Sequence, residues 1–194
     1  MDKLARSDLM SLEDYSARRE AFRQEVMAHK NRRILQVGPN VRLFFEDRLT
    51  IQYQVQEMLR AERIFEAEGI EEELAAYNPL VPDGENLKAT MLIEFPDVEE
   101  RKRWLGQLVG IEDRTFVQVE GHERVYAIAD EDLERDTPEK TSAVHFLRFE
   151  LGPRAAADLK GGAAVHVGID HDNYSHILSP VPANSRDALA ADMA

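Results

Sequence analysis

The sequence predicts an α+β fold, an antiparallel or mixed sheet of about six strands packed by three or four helices. Three observations predict it. Apolar residues recur at a helical period of about 3.6 before residue 77, and they alternate with a strand period of about two after residue 87. A loop over 78–86, carrying Pro79, Pro82 and Gly84, separates the two regimes. With 194 residues and 43% hydrophobic content the chain can bury one substantial core. The helix-rich segment 1–77 and the strand-rich segment 87–194 are therefore read as one domain over 1–194.

Taken in order, Ser11 caps a first helix, where Leu12, Tyr15, Phe22 and Val26 form the apolar stripe as far as about Lys30. Strands at 33–37 and 41–45 flank Gly38, Pro39 and Asn40, a hairpin composition. Asp47 is an N-cap for the longest helix, 49–68, closed by Gly69, with a second helical piece over 70–76. Beyond the loop come a strand over 89–95, a helix over 97–109 capped by Asp97, and strands over 115–119 and 124–129 joined by Gly121 and His122. Strands over 142–151 and 163–169 flank a short helix opened by Pro153. An edge strand over 176–178 stops before Pro180 and Pro182, and a short helix ends the chain.

Composition excludes several classes of function. There is no cysteine, so disulfides, thiolate catalysis and Cys-only zinc or iron–sulphur sites are ruled out. The net charge of −13 is unevenly spread: residues 1–64 carry twelve Lys or Arg against ten Asp or Glu, and residues 65–194 carry twelve against twenty-seven. Such an acidic field repels phosphate backbones, so no nucleic-acid partner is expected. No apolar run opens the chain or approaches the roughly 20 residues of a membrane span, which points to a soluble, cytoplasmic protein without a membrane partner.

Two clusters carry chemistry. His166, His171 and His176 fall close together around Asp170, Asp172, Asn173 and Tyr174. Alternation over 163–169 places His166 on the polar face; a hairpin would set His166 opposite His176 with His171 at its tip. Three imidazoles there, with Asp170 or Asp172, would suit zinc, iron or copper, or they are exposed polar-face residues of an edge hairpin. His145 shares a face with Leu147 and Phe149; it is either a hydrogen-bonded core residue or, if its strand neighbours that of His166, a further ligand. The second cluster lies on the long helix, where Arg48, Gln52, Tyr53, Gln56, Glu57 and Arg60 form polar stripes beside the core positions Ile51, Val55, Met58, Leu59 and Phe65. They line a polar pocket for a small anion or a partner's backbone, or they face water as a charge-paired helix surface. Asp130, Glu131, Asp132, Glu134 and Asp136 lack the glycine and distal Glu of a calcium loop and read as an acidic turn. Glu25 and His29 lack the further carboxylates of a di-iron bundle. No nucleophile elbow, P-loop or dinucleotide fingerprint is present.

Four segments together resemble a bacterial family, the domain-of-unknown-function family 3501: FEDRLTIQYQVQEMLRAERIF at 45–65, YNPLVPDG at 77–84, TSAVHFLRFEL at 141–151 and DHDNY at 170–174. The resemblance extends over almost the whole chain and brings no catalytic residues with it. It implies a setting beside rubrerythrin-like and iron–sulphur oxidoreductase proteins, hence an accessory or binding protein linked to a redox or oxidative-stress system, with the 48–63 helix and the 77–84 loop as recognition surface. A histidine-ligated zinc or iron protein, with or without enzymatic activity, is the alternative. Edge strands and an acidic surface are also compatible with a homodimer.

Overall fold

Alternating burial organises the chain into strands, and the structure, a computed structural model, describes residues 2–131 and 139–194. Among the described residues the first half of the chain runs α1 (Leu12–Lys30), β1 (Ile34–Val37), β2 (Val41–Glu46), α2 (Arg48–Glu62), α3 (Ala67–Tyr77), β3 (Asn86–Ile93) and α4 (Val98–Gln107). The second half runs β4 (Thr115–Val119), β5 (Val125–Tyr126), β6 (Ile128–Ala129), β7 (Val144–Glu150), α5 (Gly152–Lys160), β8 (Val165–His171), β9 (Tyr174–Leu178) and α6 (Ala183–Ala190). The α+β class and the antiparallel pairing hold. The strands, however, divide between two sheets, ordered β1-β2-β3-β7-β6 and β5-β4-β8-β9.

The division follows from two-sided burial. In β2, Val41, Leu43 and Phe45 are buried while Arg42, Phe44 and Glu46 point the other way, and β3 continues the pattern with Leu87, Ala89, Met91 and Ile93. These inner positions share one core with Val117, Val119, Val165, Val167 and Ile169 of the second sheet. The stretch expected as one strand over 124–129 instead breaks at Ala127: β5 pairs with β4 and β6 pairs with β7, so the chain crosses from one sheet to the other and closes that side. Within the second sheet Phe116 stands opposite Gly168, where a Cβ would lie 2.5 Å from the Phe116 ring, so only glycine leaves it room.

Helix ends obey local chemistry. Ser11 accepts from Asp14 N at 3.1 Å, and Asp97 accepts from Glu100 N at 2.8 Å. Asp47 and Thr50 form a reciprocal cap at 2.9 Å each way. The helix expected over 49–68 stops at Glu62 because Arg63 turns left-handed at φ 58, so Phe65, expected in the core, is 69% exposed, and Gly69 falls inside α3 instead of closing the previous helix. No helix among the described residues is long and apolar enough to cross a membrane.

One buried charge ties these layers together. Arg33 is 2% exposed; its guanidinium donates to Phe45 O at 3.0 Å, to Ala188 O at 2.8 Å and to the carboxylate of Asp192. Asp47 lies 3.4 Å from Arg33 and receives His29 Nε2 at 2.5 Å. The end of α1, the start of α2 and the C-terminal helix thus meet on one cation. Removing one member of a buried charge network costs about 3 to 5 kcal/mol, because its partners stay buried without compensation. Arg33→Met is expected to lose stability on that scale in urea unfolding, and adding Asp192→Leu should restore some of it.

Candidate functional site

The polar face of α2 is occupied by the chain itself. Gln52 Nε2 donates to Asp8 O at 2.6 Å, and Gln56 accepts from Met10 N at 2.6 Å while donating to Met10 O at 3.4 Å. Arg48 pairs with Asp8 at 2.7 Å. Glu57 accepts from Arg19 at 2.8 and 2.7 Å and from the Tyr15 hydroxyl at 2.6 Å. Those Arg19 hydrogen bonds, acting against partial burial, hold the Glu57 carboxyl down at about 2. Tyr53 is buried beside Phe22, with Lys30 Nζ 5.8 Å from its ring centre, and Arg60 alone of the six is exposed. The loop joins the same clamp: the Asn78 side chain bonds both backbone groups of Leu4, at 2.8 and 2.9 Å, and Lys3 donates to Asn78 O and Val81 O. The surface expected to recognise a partner's backbone therefore reads the N-terminal segment of its own chain.

The three C-terminal histidines do share a hairpin, but not the expected register. His176 pairs with Ile169 and His171 with Tyr174, which puts these two on the inward side of the sheet and His166 on the opposite face. His166 lies between Ser179 Oγ at 2.6 Å and Glu120 at 2.8 Å. His171 Nε2 is 3.1 Å from Val109 O, and His176 packs edge-on against Tyr174, 4.6 Å between centres. Gly38, at φ +71, makes room for it: a Cβ there would lie 2.5 Å from the His176 ring. His145 belongs to β7, in the other sheet from β8. It is fully buried, with Nδ1 2.5 Å from Asp130 and Nε2 2.8 Å from the Thr141 hydroxyl. That order of hydroxyl, imidazole and carboxylate is seen in nucleophilic enzymes, but Thr141 is 2% exposed and offers no surface to a substrate. No group of three histidine or acidic side chains among the described residues is placed to hold a metal ion. Asp132, Glu134 and Asp136 of the acidic run lie outside the described residues, while His29 is committed to Asp47.

The open space lies elsewhere, between the outer face of the five-stranded sheet and the helical layer. Two rows cross three strands there. Phe44, Thr90 and Phe146 stand in register, and so do Glu46, Lys88 and Arg148. Above them Met58, Ala76, Tyr77, Pro79 and Leu80 form a roof over a cleft of about 380 Å³, which continues past Tyr77, Leu80 and Phe146 into a second space of about 300 Å³ lined by Phe44, Thr90 and Leu92. Its charges are unequally satisfied. Arg148 donates to Glu131 at 2.7 Å through both Nε and Nη2, and to Glu150 through Nη1, whereas Glu46 accepts from the Thr50 and Thr90 hydroxyls at 2.6 and 2.9 Å. Burial pushes the Lys88 ammonium below its ordinary range and the Glu73 carboxyl above its own. Tyr77, Pro79 and Leu80 belong to the 77–84 loop expected as part of a recognition surface, whereas Thr90, Lys88 and Leu92 stood out by no motif. The signal that could have found them is Phe44, Leu92 and Phe146, three large apolar residues at positions where alternation assigns the polar face.

Comparison with known proteins places this geometry in a family. The model of the family described as "Protein of unknown function (DUF3501)" matches residues 3–193. The chain belongs to the DUF3501 family. A crystal structure of a novel protein of unknown function from Burkholderia pseudomallei K96243 resembles this DUF3501 protein at 51% identity, over 100% of both chains, with a TM-score of 0.93. Comparison with curated proteins finds no match.

The clamp makes stability of this DUF3501 protein depend on pH. The folded pKa of Glu57 is depressed, so its contribution is complete above about pH 4.5 and is lost as the pH falls toward about 2. Glu57→Gln is expected to be less stable than the parent at pH 7 in urea unfolding, with the gap narrowing below about pH 4.5 and closing only near pH 2.

Proposed function

We propose that this protein binds a small molecule with an apolar body in the cleft between the outer face of the five-stranded sheet and the helical roof. One observation carries the reading: Phe44, Leu92 and Phe146 line a face with helices over it, yet the helices do not fill the space, leaving about 380 and 300 Å³ side by side. Cavities of a few hundred Å³, mainly apolar with a few convergent polar groups, are the usual form of small-molecule sites. Here the polar groups are Thr90, Glu46 and Lys88, all carried on sheet strands and so held in fixed relation.

A binding protein of this kind fits the accessory role that the family resemblance implies, with rubrerythrin-like or iron–sulphur oxidoreductase proteins as the proposed partners. Its role would be to hold a ligand for such a system; the polar stripe of α2, taken up by the N-terminal segment, is not offered as the partner surface. Co-purification of the untagged full chain with such proteins from a common expression host tests that role, and recovery no better than that of an unrelated acidic protein would refute it.

Ala76 is exposed and stands on the cleft-lining side of α3. Ala76→Trp should therefore obstruct the cleft without disturbing either core. Nile red, a neutral polarity-sensitive dye, is expected to bind the parent with enhanced fluorescence and to lose at least about tenfold in affinity on Ala76→Trp, a change of about 1.4 kcal/mol. Equal binding by parent and variant would place the dye elsewhere.

A further inference from the structure

We infer that the ligand of this cleft is an apolar monocarboxylate whose anionic group is held by Lys88. The inference rests on the cleft being a small-molecule site and adds the chemical class of its occupant. Lys88 stands in the middle strand, β3, between Glu46 and Arg148 in register. Its ammonium donates to Pro79 O and makes no ion pair among the described residues. An ammonium has three donors, so two remain for another group. Lys88 is half-buried, and the nearby Asp83 and Glu131 carboxylates are opposed by the positive charges of Lys3 and Arg148, so an anion bound beside it adds the attraction this ammonium lacks. Burial, the main cause of its lowered pKa, is consistent with an ammonium short of partners.

The remaining charges set the size of the anion. Arg148 would be the natural fork for a phosphate, but Glu131 and Glu150 already take three of its five N–H groups and more than offset its charge. Lys30, in the adjoining space, lies 5.8 Å from the centre of the Tyr53 ring, on the α1 side of the cleft. Glu73, Glu131 and Glu46 also line the two spaces, and the chain as a whole carries −13. Lys3 lies close enough to act on Lys88 but spends its ammonium on Asn78 O and Val81 O, so a dianion would meet Lys88 and three carboxylates, whereas a single carboxylate meets the least repulsion. Beside Lys88 the walls are Leu80, Tyr77 and Phe146, which suit an alkyl or aromatic body and give a strongly hydrated ion no replacement for its water.

The test is displacement of Nile red from the full chain by octanoate, octanol and octylammonium at matched ionic strength, with parent, Ala76→Trp and Lys88→Met. The expected result is that octanoate displaces the dye at about tenfold lower concentration than octanol, that octylammonium is weakest, and that Lys88→Met abolishes the preference for octanoate while leaving octanol displacement in place. Octylphosphate is expected to be no better than octanol. If the dye binds in a manner sensitive to Ala76→Trp but octanoate and octanol compete equally, or the preference persists in Lys88→Met, the carboxylate assignment is overturned and the cleft survives as a binding site. Tighter competition by octylphosphate than by octanoate overturns the monoanion. If Ala76→Trp leaves dye binding unchanged, the cleft reading and this inference fall together.

Discussion

Arg33 places a permanent positive charge where only 2% of the residue meets solvent, and its compensation ties β2, the start of α2 and the C-terminal helix to one point. Its donors reach Phe45 O on β2, Ala188 O on α6 and the Asp192 carboxylate, with Asp47 alongside. Asp192 is only 4% exposed, and that burial, outweighing the attraction of Arg33, lifts its carboxyl to about 6. Because Asp47 is also the N-cap of α2, the helix leaves the sheet from a fixed point in a fixed direction. A cation that must be satisfied from several elements at once is satisfied in only one arrangement of them.

The far end of the helical layer is held by different means. Residues 3–10 run across α2 and the loop after α3, and their backbone is gripped by Gln52, Gln56 and Asn78. Beneath them a small second core of Leu4, Ile51, Val55, Leu59, Leu74 and Val81 forms apart from the core between the sheets. The roof is therefore anchored at both ends, and the space under its middle is a property of the fold. That space lies against the face of the sheet turned away from the main core, where Thr90 and Lys88 alternate with the buried Ala89 and Met91.

Much of the architecture was legible from local pattern. Ser11, Asp47 and Asp97 announced their helices, Gly38 and Asn40 their turn, and alternation the strands, because caps and pleats depend on near neighbours. Two features were not legible. Arg63 in a left-handed turn gives no compositional warning, so α2 was expected to run too long. The partition into two sheets depends on where 124–129 crosses over, a choice made by tertiary packing. For the site, the residues singled out for their chemistry turned out to be spoken for. The glutamines of α2 suit a backbone, and the backbone they meet is that of Asp8 and Met10, 44 and 46 residues away in sequence. His166 and His176 separated onto two faces once the register placed His176 opposite Ile169. The cleft went unseen because Lys88, Thr90 and Phe146 become a group only through pairing in space; the apolar Phe44, Leu92 and Phe146 on an outer face were its trace.

The seat of the ligand is the decisive quantity. Chemical-shift mapping of the isotope-labelled full chain, titrated with Nile red, addresses this most directly. Shifts concentrated at Phe44, Tyr77, Leu80, Lys88, Thr90 and Phe146, with the β8–β9 hairpin unmoved, are the predicted result. Shifts centred on His166, His171 and His176, or confined to the polar face of α2, would contradict it.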